Sequence, residues 1–274
     1  MQKPFFSIIV VSLNPGERLE KTLNSITSQT YTDYEVILKD GCSTDGSLEE
    51  LQKQGYFENK NQIRIIQNKD KSIYDGMNQA VSCISGRYVQ FLNCGDYFYS
   101  NKTLEEVAEF IVSVEKPRVI YYGNQYNQLQ DTIVYSAPQI NDFTCYRNVP
   151  CHQVCFYDYR LFEKRAYELK YKVRADYEHF LYSIYEEGAK GVSMPIIVAS
   201  YEGGGFSETK ENRKRSAFEH KEITFKYLGK AKVFKYRMIM WLTLAPLRTW
   251  IAENPALSGV YNGVKNMIYK LMRK

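Results

Sequence analysis

The sequence has 274 residues, of which 44% are hydrophobic and 24% are charged, a balance typical of a globular protein with a substantial core. This length favours one large α/β domain with an appendage over two full domains, and no internal repeat or low-complexity tract is present. The net charge of +5 is uneven, because residues 210–274 hold 15 Lys and Arg against 4 Asp and Glu. A basic end on a slightly acidic body indicates an anionic surface as partner.

The first half of the chain alternates between strand and helix patterns. Phe5–Leu13 is an apolar, β-branched run, which is typical of a buried parallel strand. Asn14 is expected to cap the helix that follows, with Pro15 at its first position and Glu17 completing a capping box. The other predicted strands are Tyr34–Leu38, Ile63–Gln67, Tyr88–Leu92 and Val119–Tyr122, and the other predicted helices begin at Ser47 or cover Tyr74–Ser85 and Thr103–Val114.

The second half is less regular. The pattern predicts helices over Phe162–Leu169 and Tyr177–Glu187 and a strand over Val192–Ala199. Gly203–Gly205 is expected to form a flexible hinge or lid, and from about Lys214 the chain is expected to be helical and basic.

Three successive predicted strands end near an aspartate. Asp40, Asp70 and Asp96 follow the second, third and fourth strands. Ligands of open parallel sheets bind at the carboxyl ends of the strands, so these three side chains are predicted to converge on one crevice. A single aspartate at such a place is more often a helix cap or an Asx turn, and the series of three favours a site.

The six cysteines include no Cys-x-x-Cys pair, and they are interpreted as reduced thiols of a cytosolic protein. A zinc site formed by Cys145, Cys151, His152 and Cys155 is an alternative, although its spacing matches no standard pattern. The apolar run at the N-terminus ends at Asn14 rather than at a small-residue cleavage site, which favours a strand over a signal peptide.

Four segments, taken in order, resemble family 2 glycosyltransferases of the bacterial type that builds O-antigen, capsule or exopolysaccharide. They are Phe6–Asn14, Asp40–Gly46, Ser72–Asn78 and Phe91–Asp96, and the resemblance covers roughly residues 5 to 205. The resemblance implies an α/β fold of the GT-A type, a Rossmann-like, mostly parallel sheet flanked by helices. Residues 1–100 would form the nucleotide-sugar-binding half and residues 101–210 the acceptor-binding half, with a basic helical appendage over residues 211–274.

The resemblance also implies an activity. The protein would move a sugar, with inversion, from a nucleotide-diphosphate sugar to a hydroxyl of a glycan or lipid-linked glycan, using Mg²⁺ or Mn²⁺. Asp40 matches the aspartate that binds the donor base, and Asp70 matches a second aspartate on the donor side. The other donor-site residues by resemblance are Ser12, Asn14, Asn93, His152 and Gln153, the last two forming a His-Gln pair on a strand that crosses towards the acceptor. For His152 a role as a satisfied core histidine is the alternative.

Asp96 matches the last carboxylate of the metal motif of the family. The commonest pattern there is Asp-Asp, and this chain has Gly95 in place of the first aspartate. A divalent cation neutralises the charge that grows on a leaving diphosphate, and Mg²⁺ typically uses one or two protein carboxylates with substrate phosphates. One aspartate is therefore enough if the donor brings the remaining ligands.

An inverting transfer also needs a base for the acceptor hydroxyl. Val173–Glu178 resembles the acidic motif of the family at the start of a helix, which would make Asp176 the base and Glu178 the alternative. A plain helix N-cap is the structural interpretation of Asp176.

The C-terminal segment combines apolar and basic residues. Apolar side chains recur at helical spacing from Leu257 to Met272, and Met238–Leu247 is apolar and flanked by Lys and Arg. This pattern is typical of a helix in a membrane interface, which predicts a cytoplasmic protein held peripherally on the inner face of the membrane. Packing on the catalytic domain is the alternative, and the absence of a recognisable motif argues against nucleic acid as partner.

Two other functions compete with transfer. The first is a non-catalytic module that binds sugar-nucleotides or glycans on a decayed transferase fold, which Gly95 would explain. The second is another enzyme acting on nucleotide sugars, such as a nucleotidyltransferase or a dehydrogenase. The sequence contains neither G-x-G-x-x-G nor a P-loop, which argues against the second.

Overall fold

The computed structural model describes residues 3–60, 62–203 and 209–244, together with the positions 247, 251, 254, 259, 261, 263, 264, 267 and 268. Its centre is a sheet built from nine strands. They are β1 (Phe6–Ser12), β2 (Tyr34–Asp40), β3 (Ile63–Gln67), β4 (Tyr88–Phe91), β5 (Tyr97–Phe98), β6 (Val119–Asn127), β7 (Thr132–Val134), β8 (Cys155–Asp158) and β9 (Lys190–Tyr201).

The strand order is β3-β2-β1-β4-β8-β6-β9-β5, with β7 paired to β6. The first four strands are parallel, so their carboxyl ends lie along one edge of the sheet. Strand β8 joins β4 in the antiparallel sense and links this half to the mixed half, in which β6 and β9 are parallel. The prediction of a mostly parallel α/β sheet is confirmed.

Seven α-helices connect the strands within the described residues, and short 3₁₀ turns lie at His152–Val154 and Tyr159–Phe162. The helices are α1 (Arg18–Thr27), α2 (Ser47–Lys53), α3 (Ile73–Val81), α4 (Thr103–Ser113), α5 (Asp142–Arg147), α6 (Ala175–Tyr185) and α7 (Lys210–Leu242). All seven residues of β1 are buried, as expected for a central strand with helices on both faces.

The core continues from the parallel strands into the mixed half of the sheet, and aromatic side chains fill much of it. Phe6 lies 5.2 Å from Phe156, between ring centroids, across the join of the two halves. Among the largest fully buried side chains are Tyr88, Tyr121, Tyr122, Tyr157 and Tyr171.

Two predictions about helices are wrong. No helix covers Phe162–Leu169, where a 3₁₀ turn ends at Phe162 and irregular chain follows. The backbone N–H of Tyr167 donates to Asn78 Oδ1 and the Tyr167 carbonyl accepts from Asn78 Nδ2, so tertiary hydrogen bonds replace helical ones.

The second wrong prediction concerns the cap of α1. The helix begins at Arg18, and Glu17 occupies the cap position without a side-chain hydrogen bond. Asn14 has a φ of 49° and its Oδ1 accepts from the backbone N–H of Thr44, 2.8 Å away. The side chain of Asn14, which was expected to cap the helix, therefore binds the loop after β2 instead.

Helix α7 lies against the α/β domain through its first half. The buried Glu219 accepts hydrogen bonds from the backbone N–H groups of residues 172, 173 and 174. Ile223, Leu228 and Val233 are buried, and Gly229, with a φ of 74°, interrupts the helical geometry between the last two. No helix among the described residues is both long and apolar enough to cross a membrane.

Candidate active site

The carboxylate of Asp40 ends β2 and is held from three directions. Its Oδ1 accepts from the Ser12 hydroxyl at 3.0 Å, and its Oδ2 accepts from the backbone N–H of Ser43 at 2.8 Å. The Ser43 hydroxyl also donates to Oδ1. Because Ser12 ends the neighbouring strand β1, two adjacent strand ends fix the orientation of one buried carboxylate.

Asp70 follows β3, and its carboxylate forms an ion pair with Lys39. The Lys39 Nζ lies 2.9 Å from Asp70 Oδ2 and also donates to the carbonyls of Asn68 and Asp40. Lys39 is fully buried, and the charge of Asp70 is therefore matched inside the protein. The sequence analysis missed Lys39, although a lysine directly after the apolar residues 36–38 of a predicted buried strand is a recognisable signal.

Asp96 follows β4 and is 5% exposed. Its Oδ2 accepts from Gln153 Nε2 at 2.7 Å, and its Oδ1 accepts from the backbone N–H of Glu202 at 3.1 Å. Burial raises the pKa of the Asp96 carboxyl, and these two hydrogen bonds act in the opposite direction. Gln153 thus reaches Asp96 from the 3₁₀ turn that precedes β8, and not from a strand as predicted.

A chain of hydrogen bonds runs from this edge to the second half of the domain. Asn93 Nδ2 lies 3.1 Å from His152 Nε2, and His152 Nδ1 lies 3.1 Å from Asp176 Oδ2. The other carboxylate oxygen of Asp176 accepts from the Tyr74 hydroxyl at 2.8 Å. Asn93, after β4, and Tyr74, on α3, belong to the first half, whereas Asp176 begins α6.

Asp176 is the second residue of α6, so it is not the N-cap, which is Arg174. Burial of the carboxyl would raise its pKa, but the hydrogen bonds from His152 and Tyr74 and the attraction of His152 outweigh burial and lower it. The side chain keeps 25% exposure, which leaves it accessible to a ligand. The alternative base, Glu178, is fully buried and paired with Arg165 and Lys226, which excludes contact with an acceptor.

The described residues include no group of three or more His, Cys, Asp and Glu arranged to hold a metal ion. The alternative zinc site is therefore wrong. His152 is engaged by Asp176, and the Cys155 thiol donates to the Cys151 carbonyl at 3.2 Å. Burial raises the pKa of the Cys151 thiol to about 12 and that of Cys145 to about 11, which keeps both thiols protonated.

The structure thus brings the predicted site residues together along one edge of the sheet. Asp40 and Asp70 lie on either side of Lys39, and Asn14 ties the loop after β1 to the loop after β2. Asp96, Gln153, Asn93, His152 and Asp176 form the neighbouring group. Tyr74 and Glu202 were also missed, because a hydrogen-bond partner far along the chain leaves no local signal.

The sheet order, with polar side chains along its carboxyl edge, is that of an α/β protein of the GT-A class. The sequence model of the family Glycosyl transferase family 2 matches residues 7–172, and the chain belongs to this family.

Relatives and solved structures agree with this membership. The chain is 35% identical over 212 residues to a PGL/p-HBAD biosynthesis glycosyltransferase of Mycobacterium tuberculosis, covering 76% of this chain and 81% of that protein. Its fold is similar to that of Staphylococcus aureus TarS 1–349 in complex with UDP-GlcNAc, with a TM-score of 0.64, 18% identity, and coverage of 90% of this chain and 78% of TarS 1–349. It is also similar to the mannosyltransferase PcManGT of Pyrobaculum calidifontis in complex with GDP-Man and Mn²⁺, with a TM-score of 0.65, 15% identity, and coverage of 100% and 84%.

Proposed function

We propose that the protein is an inverting, metal-dependent glycosyltransferase that moves one sugar from a nucleotide-diphosphate sugar to a hydroxyl of a glycan or lipid-linked glycan during surface polysaccharide biosynthesis. The observation that carries this proposal is the hydrogen-bonded chain from Asn93 through His152 to Asp176. It holds a partly exposed, ionised carboxylate of the second half beside the carboxyl edge of the parallel strands. A relative named as a PGL/p-HBAD biosynthesis glycosyltransferase supports sugar transfer as the activity.

Asp176 is the proposed base. As the acceptor oxygen attacks the anomeric carbon, its proton moves to the carboxylate of Asp176, and the bond from that carbon to the diphosphate breaks on the opposite face. His152 and Tyr74 hold the two carboxylate oxygens and keep the carboxyl ionised at neutral pH. A positioned carboxylate in this role typically contributes a factor of about 10²–10⁴ to the rate.

The donor half would hold the nucleotide. Asp40, fixed by Ser12 and Ser43, is the proposed hydrogen-bond acceptor for the nucleobase of the donor. The loop from residue 41 to 46 follows Asp40 directly. Asp70 lies beside the same loop, since a Cβ on Gly41 would come within 2.9 Å of its carboxylate. Two solved structures of similar fold contain UDP-GlcNAc and GDP-Man, which supports a nucleotide-diphosphate sugar as the donor.

The residues near Asp96 fit a hard divalent cation such as Mg²⁺ or Mn²⁺. Asp96 would hold it, and Asn93, whose backbone carbonyl accepts from the Asp96 backbone N–H, offers a second oxygen. This is Asn93 Oδ1, which is buried and has no hydrogen-bond partner among the described residues. Such cations prefer oxygen ligands and accept one or two protein carboxylates with substrate phosphates. When bound, the cation would neutralise the charge that grows on the leaving diphosphate.

The C-terminal segment is the proposed membrane contact. Phe234, Met238, Trp241 and Leu242 are exposed on the second half of α7, next to basic side chains. Such a surface suits the interface of an anionic bilayer, where a lipid-linked acceptor would lie. The stripe predicted from Leu257 to Met272 lies largely outside the described residues, and Val264, Met267 and Ile268 within it are exposed. These features support a peripheral protein of the inner face of the membrane.

The test is a panel of UDP-, GDP- and dTDP-sugars incubated with the full chain and Mg²⁺ or Mn²⁺. Release of the nucleoside diphosphate that requires the metal is expected with one class of donor, and Asp96→Ala should abolish it. The competing function, a binding module without activity, predicts donor binding by calorimetry with no metal-dependent release. That result would remove the transferase assignment for this chain.

A further inference from the structure

The Glu202 carboxylate occupies the space that a side chain at position 95, as in the commonest pattern of the family, would fill. The φ of Gly95 is 101°, in the region that favours glycine, and a Cβ built on it would come within 2.5 Å of Glu202 Oε2. Real Cβ atoms do not approach a carboxylate oxygen this closely. An aspartate at position 95 would therefore displace the Glu202 carboxylate from this place.

The sheet explains why these two residues meet. Strand β5 pairs with β9 in the antiparallel sense, with Tyr97 opposite Ser200 and Phe98 opposite Ala199. If this register is continued to the two residues before β5, position 95 lies opposite position 202. The Glu202 carboxylate thus lies at the metal motif although the two residues are 107 positions apart in the sequence.

Glu202 is tied to Asp96 through its backbone and remains open through its side chain. The backbone N–H donates to Asp96 Oδ1 at 3.1 Å. The Glu202 side chain is 37% exposed and lies 3.1 Å from Arg18 Nε, whose own side chain is 62% exposed. An ion pair this exposed is weak and can be exchanged for a stronger partner.

We infer that Glu202 supplies, from the end of β9, the second carboxylate for the divalent cation that Asp96 would hold, in place of the aspartate that Gly95 lacks. This inference rests on the proposed function, and it assigns to a residue of the second half a contact with the donor-bound cation. One or two carboxylates with substrate phosphates is the ligand set that such cations accept. The Arg18 guanidinium occupies the Glu202 carboxylate until a cation takes its place.

The experiment measures Mn²⁺ affinity by the EPR signal of free Mn²⁺, with the full chain, in the presence of saturating UDP and separately of GDP. Glu202→Gln is expected to weaken Mn²⁺ binding by about tenfold, while the matched control Glu109→Gln, an exposed glutamate on α4, leaves it unchanged. The double variant Gly95→Asp with Glu202→Ala moves the carboxylate to the opposite strand and should bind Mn²⁺ more tightly than Glu202→Ala alone. Thermal unfolding of each variant checks that the fold is retained.

Two further variants separate the outcomes. Arg18→Ala removes the ion pair and leaves the carboxylate, so it should not weaken Mn²⁺ binding; a loss equal to that of Glu202→Gln would show that Glu202 acts only through Arg18. Asp96→Asn should abolish binding, and if it does so while Glu202→Gln matches the wild type, this inference alone is overturned. If the wild-type chain binds no Mn²⁺ with either nucleotide, the proposed metal dependence fails and this inference fails with it.

Discussion

At the scale of single residues, the carboxylate of Asp176 decides whether the proposed chemistry is right. Asp176→Asn keeps the shape of the side chain and removes its capacity to accept a proton. Turnover is expected to fall by about 10²–10⁴ while the donor KM stays within about threefold, measured by release of the nucleoside diphosphate. A turnover close to that of the wild type would assign the base to another residue.

The Tyr74 hydroxyl offers a second test, because it lowers the pKa of Asp176 by donating to its carboxylate. Activity requires the ionised carboxylate of Asp176. Protonation of this group therefore lowers the rate only at pH values below the ordinary pKa of an aspartate, about 3.9. Tyr74→Phe removes the hydrogen bond, raises the pKa of Asp176 and should move the acid limb of the pH–rate profile of kcat to higher pH.

Tyr167→Phe is the matched control for this change. The Tyr167 ring lies 5.5 Å from that of Tyr74, and its buried hydroxyl has no hydrogen-bond partner in the described part of the chain. Its removal should leave the acid limb in place. Equal shifts in the two variants would show that packing, and not the bond to Asp176, sets the profile.

The buried Lys39 makes a prediction about stability. Lys39→Met leaves the Asp70 carboxylate beside two carbonyls without its cation, and removal of one partner of a buried pair typically costs about 3–5 kcal/mol. Urea denaturation should show this loss, and the double variant with Asp70→Asn should recover part of it. A Lys39→Met protein as stable as the wild type would contradict a buried ion pair.

At the scale of elements, the order of the parallel strands was predictable and their connections to the second half were not. The apolar runs of β1 to β4 are fully visible in the sequence, and each prediction lies within two residues of the observed strand. Residues 163–169 were misassigned because their structure depends on Asn78, which lies 89 residues from Tyr167 along the chain. Local periodicity carries no information on such contacts.

Helix α7 divides into two parts with different expected roles. Its first part packs on the domain through buried side chains as far as Val233. Phe218 and Phe225 are exposed in this part, and the other large exposed apolar side chains of α7 follow from Phe234. Deletion of residues 238–274 therefore should keep the fold and abolish flotation with liposomes that contain anionic lipid. The full chain should float, and its binding should weaken with salt, since each basic residue near the surface contributes about 1 kcal/mol.

Charge reversal gives the control for this deletion. Replacement of Lys235 and Arg237 by Glu keeps the apolar side chains of α7 and should weaken flotation without changing thermal unfolding. A full chain that stays in solution with anionic vesicles would overturn the membrane contact and leave the transferase proposal intact.

At the scale of the whole molecule, stability is expected to fall in mild acid because of His179. This fully buried imidazole stacks on Phe162 at 4.2 Å, and burial lowers the pKa of His179 from 6.5 to about 4. A group whose pKa is lower in the folded state contributes stability above its unfolded pKa, and loses it as the pH falls from about 6.5 towards 4. The loss over this range is about 3 kcal/mol if the group acts alone.

Denaturation of the wild type and of His179→Leu at several pH values measures this contribution. The difference in free energy of unfolding between the two should change with pH in the stated direction, and the variant should have the flatter profile. A constant difference from pH 7 to pH 4 would show that His179 does not set the acid sensitivity of the fold.

Most residues of the candidate site were predictable from the sequence, but the contacts between them were not. Asp40, Asp96, His152 and Asp176 were identified from motif resemblance, and the structure places them along one edge. The contacts of Tyr74 and Glu202 with this group follow from the packing of one half on the other, which a single sequence does not encode locally.

The bond from Tyr74 to Asp176 has a consequence for engineering. In a chimaera that exchanges one half of the domain for that of a relative, a junction near residue 100 would separate these two residues. A recombinant enzyme with a foreign second half would inherit a tyrosine tuned to a different carboxylate. Position 74 would have to be exchanged together with the segment that contains Asp176. The smallest exchangeable unit is therefore discontinuous in the gene.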